Sequence, residues 1–398
     1  MVLRERRFYQ YFDWLLVISP LFLVIIGTLM IYNTTGTTEG FDTSNLLGDI
    51  TFRQILYGVA GLFALFSLSV VDFRIYGVLR YPLYMLIIGL LGVVFILGQI
   101  THGAQRWINF GFFPLQPSEP AKIVIVLVLA KFLSDHEKDL GRWRTLFTSL
   151  GIVGLPVVMI YLQPDLGTGL VLGFTWLVMV LAAGLSWKQV LGLAAIGLVL
   201  LPIVWLTLQP YQRDRLTTFL DPAADPLGSG YNVLQAQIAI GSGGFWGLGL
   251  GGGTQSQLRF LRIRHTDFIF SVIGEELGFW GGVFIFAVFG FIILRLLRAS
   301  TITHSSFGRL ITIGFAAALF FQSFVNLGMN LGVMPVTGIP LPFVSSGGSS
   351  LVTSLMMLGI VESILSHDKA MSLGGEPQLP KKKKEPAVEY EYEYGEYA

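Results

Sequence analysis

The segment LITIGFAAALFFQSFVNLGMNLGVMPVTGIPLPFVSSGGSSLVTSLMMLGIV, residues 310–361, contains no charged side chain. It is too long for one membrane-spanning helix, because about 20 apolar residues cross a hydrocarbon core of roughly 30 Å. The glycines and prolines of residues 332–342 interrupt the segment, and both residue types end helices. We therefore predict two spanning helices here and lipid, not water, as the solvent of the chain.

Charge-free windows predict further spans along the chain. They cover residues 14–38, 54–71, 81–105, 145–164, 166–187, 189–212 and 277–294. Residues 120–134 are counted as the fourth span, although two lysines fall inside them. The predicted fold is an all-α polytopic membrane protein with ten transmembrane helices. A long extracellular loop, about 209–267, is predicted between the seventh and eighth helices, because its many glycines disfavour a continuous helix.

Composition supports the membrane assignment and excludes several functions. The 398 residues are 53% hydrophobic and 13% charged, whereas soluble domains carry about 25% charged residues. The 26 Lys and Arg nearly balance the 25 Asp and Glu, so no net charge attracts nucleic acid. The absence of cysteine excludes disulfides and thiolate metal sites. A GxGxxG pattern at residues 247–252 lacks the βαβ context of a dinucleotide site.

The distribution of basic residues predicts the orientation. With the N-terminus in the cytosol, ten spans place most of the 26 basic residues on the cytosolic side, as is usual for membrane proteins. Both termini are then cytosolic. Residues 1–366 form the predicted transmembrane domain. Residues 367–398 are rich in Lys, Glu and Tyr and are predicted to be a disordered cytoplasmic tail.

Three charged residues fall within or beside predicted helices. Glu119 and Lys122 are three positions apart and share one face of the fourth helix. Since a charge inside a bilayer costs several kcal/mol, such residues are candidates for function. The pair either holds the helix or organises a substrate, and the spacing does not distinguish these roles. Asp165 lies at the start of the sixth helix, where an aspartate commonly caps the backbone.

Arginines lie at both ends of the long loop. Long loops cross the membrane regardless of charge, so these residues require no function. The guanidinium group nevertheless suits phosphate, and an anionic lipid headgroup is the favoured ligand. The five arginines are Arg213, Arg215, Arg259, Arg262 and Arg264.

Two carboxylates follow the second group of arginines. Asp267 lies at the outer end of the eighth helix, where it could act as a general base, bind a cation or cap the helix. Glu275 lies about 12 Å further along the helix, at 1.5 Å per residue. Position in the sequence does not decide between these roles.

The order and spacing of ten motifs resemble those of the SEDS family, the shape, elongation, division and sporulation proteins. The motifs are GAQRWI (103–108), QPSEPAK (116–122), QPDLGT (163–168), FLDP (219–222), GYNVLQ (230–235), GSGG (241–244), GTQSQL (253–258), HTDFIF (265–270), GEELG (274–278) and GIPLPFVS (338–345). The residues of these motifs are more similar to those of the elongation branch, RodA, than to those of the division branch, FtsW. Residues 261–264 lack the family's usual acid, and residues 345–350 lack its usual tyrosine.

The resemblance implies a peptidoglycan glycosyltransferase that polymerises lipid II at the outer face of the cytoplasmic membrane during cell elongation. It implies Asp267 as the catalytic carboxylate, either as base or as ligand of Mg²⁺ or Mn²⁺. Undecaprenyl pyrophosphate is the implied leaving group, and a class B penicillin-binding protein is the implied partner. The residues expected to bind substrate are Arg106, Glu119, Lys122, Asp165, Arg213, Arg215, Tyr231, Asn232, Gln235, Ser242, Gln255, His265, Thr266, Glu275 and Ser345.

Two alternatives belong to other functional classes. A lipid II flippase or other transporter would use the intramembrane charges to line a path, but the inverted repeats of many transporters are not visible. A structural scaffold for a transpeptidase leaves those charges unexplained. An FtsW-type division glycosyltransferase remains the closest alternative within the family.

Overall fold

The computed structural model describes residues 12–36, 48–101, 104–109, 113–222, 225–226, 228, 230–258, 260–261 and 265–372. These residues are mostly helical. The long helices are α1 (Trp14–Gly36), α2 (Ile50–Val70), α4 (Arg80–Leu97), α5 (Ser118–Asp135), α6 (Trp143–Leu162), α7 (Leu166–Ala183), α8 (Trp187–Thr207), α12 (Ile269–Ile302), α13 (Ser306–Asn330) and α14 (Gly348–Ser372). The short helices are α3 (Arg74–Val78), α9 (Pro210–Leu220), α10 (Tyr231–Ser242) and α11 (Thr254–Gln257).

The helices confirm a multi-pass membrane protein. Within the described residues, 7 helices are long and apolar enough to cross a membrane: α1, α2, α6, α7, α12, α13 and α14. Helices α4 and α8 are apolar over shorter segments, and α5 carries the buried charges of Glu119 and Lys122. All three coincide with predicted spans, while the total of ten spans stays a prediction.

The all-α prediction omits a short antiparallel sheet. Its strands are β1 (Gln99–Thr101), β2 (Ala104–Asn109) and β3 (Pro114–Leu115), in the order β1-β2-β3. The third span was predicted over residues 81–105, but α4 ends at Leu97 and Gly98 is extended. The prediction was wrong there because a lack of charge does not distinguish a helix from a strand paired with later residues.

Helix α14 continues to Ser372, past the predicted domain boundary after residue 366. Asp368 is buried, and its carboxylate accepts a hydrogen bond from the backbone N–H of His304. This contact with the segment before α13 stabilises a helix end that composition alone marks as polar tail. Residues 373–398 and the predicted outer arginines Arg259, Arg262 and Arg264 lie outside the described residues.

Helices α13 and α14 form the centre of the bundle. In the most apolar 18-residue segment of each helix, 78% of the residues of α13 and 83% of those of α14 are buried. The corresponding fraction for α12 is 22%, and its remaining apolar surface faces outward. Small residues allow close packing of α14 on α2, since a Cβ at Gly359 would lie 2.5 Å from the Leu65 carbonyl oxygen. The charge-free segment 310–361 is therefore the core of the molecule.

Helix α12 is broken at Gly278, whose φ of 67° and ψ of −161° are not helical. The glycine strap, which we define as residues 241–253, packs against this break. The backbone N–H of Leu248 donates to the Glu275 carbonyl at 3.0 Å, and the N–H of Phe279 donates to the Gly244 carbonyl of the strap at 2.8 Å. The strap therefore satisfies backbone groups that the broken helix leaves open.

Glycine in the strap is needed for close backbone contact. A Cβ at Gly243 would lie 2.0 Å from the carbonyl oxygen of Gly274, and one at Gly247 would lie 2.1 Å from that of Glu276. Gly247 also has a φ of 79°, which favours glycine. These glycines of the strap thus serve close packing against α12.

Candidate active site

A cavity of about 320 Å³ lies where α9 and α10 meet the start of α12. Asp267 of the HTDFIF motif, Asn232 of the GYNVLQ motif and Arg215, one of the loop arginines, line it together. The other lining residues are Tyr211, Asp214, Thr218, Val233, Phe268 and Val336. The fold therefore brings the predicted catalytic carboxylate and one predicted phosphate-binding arginine to the same cavity.

Asp267 and Arg215 approach each other at Gly338. A Cβ on Gly338 would lie 3.5 Å from Arg215 Nη1 and 3.8 Å from Asp267 Oδ2. Gly338 has a φ of 72°, a backbone conformation that residues other than glycine rarely adopt. The glycine of the GIPLPFVS motif thus keeps open the space beside both charged groups.

The environment shifts the pKa of both groups. Burial raises the pKa of Asp267 above its usual value, while the positive charges of Arg215 and Arg106 partly oppose the increase. Burial lowers the pKa of Arg215, and the nearby charge of Arg106 adds to that decrease. A carboxylate with a raised pKa holds a transferred proton more readily, which suits a general base.

The backbone around Asp267 is held by polar side chains of later segments. Asn326 and Asn330 of α13 donate from Nδ2 to the Asp267 carbonyl oxygen at 3.1 and 3.0 Å. Ser345 donates from Oγ to the Thr266 carbonyl oxygen at 2.6 Å. These bonds leave the carboxylate of Asp267 directed to the cavity. Both asparagines were absent from the predicted site, although two amides one helical turn apart in a charge-free span were a visible signal.

Asn232 offers a free acceptor at the same cavity. Its Oδ1 is buried, and no partner for it occurs in the part of the chain that the structure describes. A buried polar atom without a partner costs about 1–3 kcal/mol. A substrate N–H or O–H in the cavity would satisfy it.

The two aspartates expected near helix starts have different roles. Asp165 is the N-cap of α7 and accepts a hydrogen bond from the Thr168 N–H at 3.3 Å. Its carboxylate also lies 3.9 Å from Arg106 Nη1 and accepts from Gln116 at 3.0 Å. Asp267 does not cap α12, because the N-cap is Phe268 and no side chain caps that end. The capping interpretation therefore holds for Asp165 alone.

Glu119 and Lys122 form an ion pair inside the bundle. Lys122 Nζ lies 2.7 Å from Glu119 Oε2, and each side chain is 2% exposed. Lys122 also donates to Gln322 Oε1 at 2.8 Å, and Gln322 donates to the Pro340 carbonyl at 2.9 Å. The pair links α5, α13 and the loop before α14, and this geometry favours the structural role of the two left open.

Several predicted site residues point elsewhere. Arg213 donates to the Leu206 carbonyl at 2.9 Å, toward the end of α8, and Ser242 Oγ donates to the Ala239 carbonyl at 2.8 Å. Glu275 is buried against α11. The predicted residues that do not line this cavity are Arg106, Glu119, Lys122, Asp165, Arg213, Tyr231, Gln235, Ser242, Gln255, His265, Thr266, Glu275 and Ser345.

The described residues contain no group of three or more His, Asp or Glu that could hold a metal ion by itself. Mg²⁺ is commonly held by one or two carboxylates together with substrate phosphates. Asp267 and Asp214, which line the same cavity, fit that pattern. The cation remains a prediction.

The fold and the cavity define a multi-pass membrane protein with a carboxylate and a guanidinium at a loop-covered site. A family model described as cell cycle protein, of the FtsW, RodA and SpoVE type, matches residues 13–370. The chain belongs to this family, which is the SEDS family that its motifs predicted.

Known relatives are similar over nearly their whole length. The chain is 37% identical to peptidoglycan glycosyltransferase MrdB of Escherichia coli (strain K12), covering 89% of this chain and 95% of the relative. It is 37% identical to stage V sporulation protein E of Bacillus subtilis (strain 168), covering 90% and 98%. A chain in a solved peptidoglycan synthase complex, which coordinates polymerization and crosslinking, matches with 35% identity and a TM-score of 0.76, covering 90% and 98%.

Proposed function

We propose that this protein is a peptidoglycan glycosyltransferase that polymerises lipid II into glycan strands. Family membership and the activity named for MrdB support the reaction class. The observation that carries the proposal is the meeting of Asp267 and Arg215 at one cavity beside Gly338. This arrangement provides a proton acceptor next to a phosphate-binding cation.

The reaction requires three groups in the cavity. The 4-hydroxyl of the acceptor sugar attacks C1 of the donor sugar, and the bond from C1 to the pyrophosphate oxygen breaks. Asp267 accepts the hydroxyl proton, and Arg215 stabilises the negative charge of the leaving undecaprenyl pyrophosphate. Asn232 Oδ1 accepts a hydrogen bond from a sugar amide or hydroxyl and helps to orient it.

A divalent cation fits the same site. Asp267 and Asp214 would hold Mg²⁺ or Mn²⁺ together with oxygen atoms of the pyrophosphate. The ion would offset negative charge on the phosphates, as Arg215 does.

The proposal places the cavity at the outer face of the cytoplasmic membrane and both termini in the cytosol. The excess of basic residues on the predicted cytosolic side supports this orientation. The similar chain in a complex that coordinates polymerization and crosslinking supports a class B penicillin-binding protein as partner. The residues of the motifs favour a role in cell elongation over a role in cell division.

The test uses purified full-length protein in liposomes with lipid II and a class B penicillin-binding protein. We expect glycan polymer that grows with time and requires this protein. If labelled lipid II crosses the liposome membrane while no polymer forms with or without Mg²⁺, the glycosyltransferase proposal is wrong and a transporter is favoured.

Replacing Arg215 is expected to change the pH dependence of the reaction. The positive charge of Arg215 holds down the pKa of Asp267, so Arg215→Gln raises that pKa further. The ionised base is lost as pH falls through its pKa, so the acid limb of kcat/KM moves to higher pH. Loss of phosphate stabilisation also lowers kcat by roughly 10²-fold.

The matched control is Arg213→Gln, because the Arg213 side chain bonds to the Leu206 carbonyl. We expect the acid limb of this variant to stay in place. The pH profile of kcat/KM is measured for both variants, and an unchanged limb in Arg215→Gln contradicts the prediction.

A further inference from the structure

We propose that Glu275 is a positioning residue for glycosyl transfer. Its carboxylate ties the glycine strap and α11 to α12 and thereby sets the positions of Asp267 and Asn232. The inference rests on the proposed function, since it concerns the same cavity. It replaces the expectation that Glu275 contacts substrate.

The carboxylate of Glu275 is fully buried and binds only backbone among the contacts described for it. Oε1 accepts the N–H of Gln255 at 2.7 Å, and Oε2 accepts the N–H of Ser256 at 3.0 Å. These N–H groups belong to the first turn of α11. N–H groups in the first turn of a helix have no carbonyl partner within the helix. A Cβ at Gly253 would lie 2.6 Å from Oε2, so the end of the strap touches the carboxylate directly.

A continuous series of contacts leads from this carboxylate toward the cavity. The carbonyl of Gln255 accepts the N–H of Leu261 at 3.4 Å. Leu261 is fully buried and packs in one apolar cluster with Ala236 and Ala239 of α10 and with Phe268. The position of α11 on α12 therefore determines where Leu261 meets α10 and Phe268.

The apolar cluster adjoins the cavity through Phe268. Phe268 lines the cavity and follows Asp267 in the chain. Ala236 is one helical turn from Asn232, so both residues share a face of α10. A shift of Leu261 moves both neighbours, and a displacement of about 1 Å can cost roughly 10²-fold in rate.

The main test compares Glu275→Gln with wild-type protein in the liposome assay. A glutamine keeps the size but places an amide donor against one of the two backbone N–H groups. We expect kcat to fall about tenfold or more, with KM for lipid II nearly unchanged. The control is Glu137→Gln, the same substitution at an exposed carboxylate that contacts Ser306 Oγ, and its kcat is expected to equal that of wild type.

A second readout reports strap attachment without using activity. The chain has no cysteine, so Ser256→Cys places a single thiol at a fully buried position of α11. We expect slow labelling by a maleimide in this background and faster labelling once Glu275→Gln is added. Leu261→Val, which shortens the apolar contact without touching the carboxylate, is expected to lower kcat by a smaller factor and to retain slow labelling.

The outcomes separate the inference from the function on which it rests. Loss of activity through a raised KM, with labelling still slow, would assign Glu275 to substrate contact and overturn the inference. Faster labelling with wild-type kcat would show that the strap does not position the site, and would also overturn it. If wild-type protein makes no glycan, the proposed function itself fails, and the positioning role fails with it.

Discussion

Asp267→Asn is expected to lower kcat for glycan polymerisation by about 10²–10⁴-fold, because the acceptor hydroxyl loses its general base. The amide keeps the shape of the side chain. Asn326 and Asn330 bond to the backbone carbonyl of residue 267, so the anchors of this loop do not depend on the carboxylate. The variant should therefore fold and bind lipid II while losing turnover. Polymer length and yield from lipid II at saturating concentration measure the effect.

The matched control for this variant is Asp221→Asn. Asp221 is an exposed aspartate directly after α9 and is not among the residues that line the cavity. We expect polymer from the control at the wild-type rate. Polymer from Asp267→Asn at that same rate contradicts the assignment of Asp267 as the catalytic carboxylate.

Lys122→Met is expected to lower the free energy of unfolding by about 3–5 kcal/mol, because Glu119 would remain as an unpaired buried charge. The substitution also removes the hydrogen bond from Lys122 to Gln322. If the pair has a structural role, Lys122→Met lowers the free energy of unfolding at least as strongly as it lowers the rate of glycan polymerisation. Denaturant unfolding in detergent, followed by tryptophan fluorescence, measures the change.

The double variant Glu119→Leu/Lys122→Met provides the control within the same site. Replacing both partners of a buried pair by apolar residues is often neutral, so we expect most of the lost stability to return. If the double variant is no more stable than Lys122→Met, the cost lies in packing around Lys122, and the ion-pair explanation is wrong.

Much of the fold could be predicted because the membrane imposes a simple rule on composition. The charge-free windows coincide with the long helices within a few residues at most ends, and the segment 310–361 does contain two helices, α13 and α14. The rule failed at residues 98–105, because pairing of Gln99 with Trp107 forms a strand that hydropathy does not distinguish from a helix. It also placed the end of α14 too early, since a contact from Asp368 to the His304 backbone extends the helix.

The candidate site could be predicted only in part. The motifs identified Asp267 and Asn232, the group of loop arginines included Arg215, and the fold brings all three to one cavity. Nothing in the sequence indicated that Arg213 turns toward α8 or that Glu275 binds the backbone of α11. A motif records which residues occur together, whereas the direction of each side chain depends on elements that the motif does not contain.

By itself, the sequence determined the class of protein, its family and the short group of charged residues that matter. Apolar composition acts residue by residue, so the membrane spans could be read without knowing any contact. Only the tertiary structure decided which of those residues share a cavity and which serve as supports. That decision depends on partners far apart in the chain, such as Asn326 and the Asp267 carbonyl, which are 59 positions apart. Contacts at that separation exist only after the helices have packed.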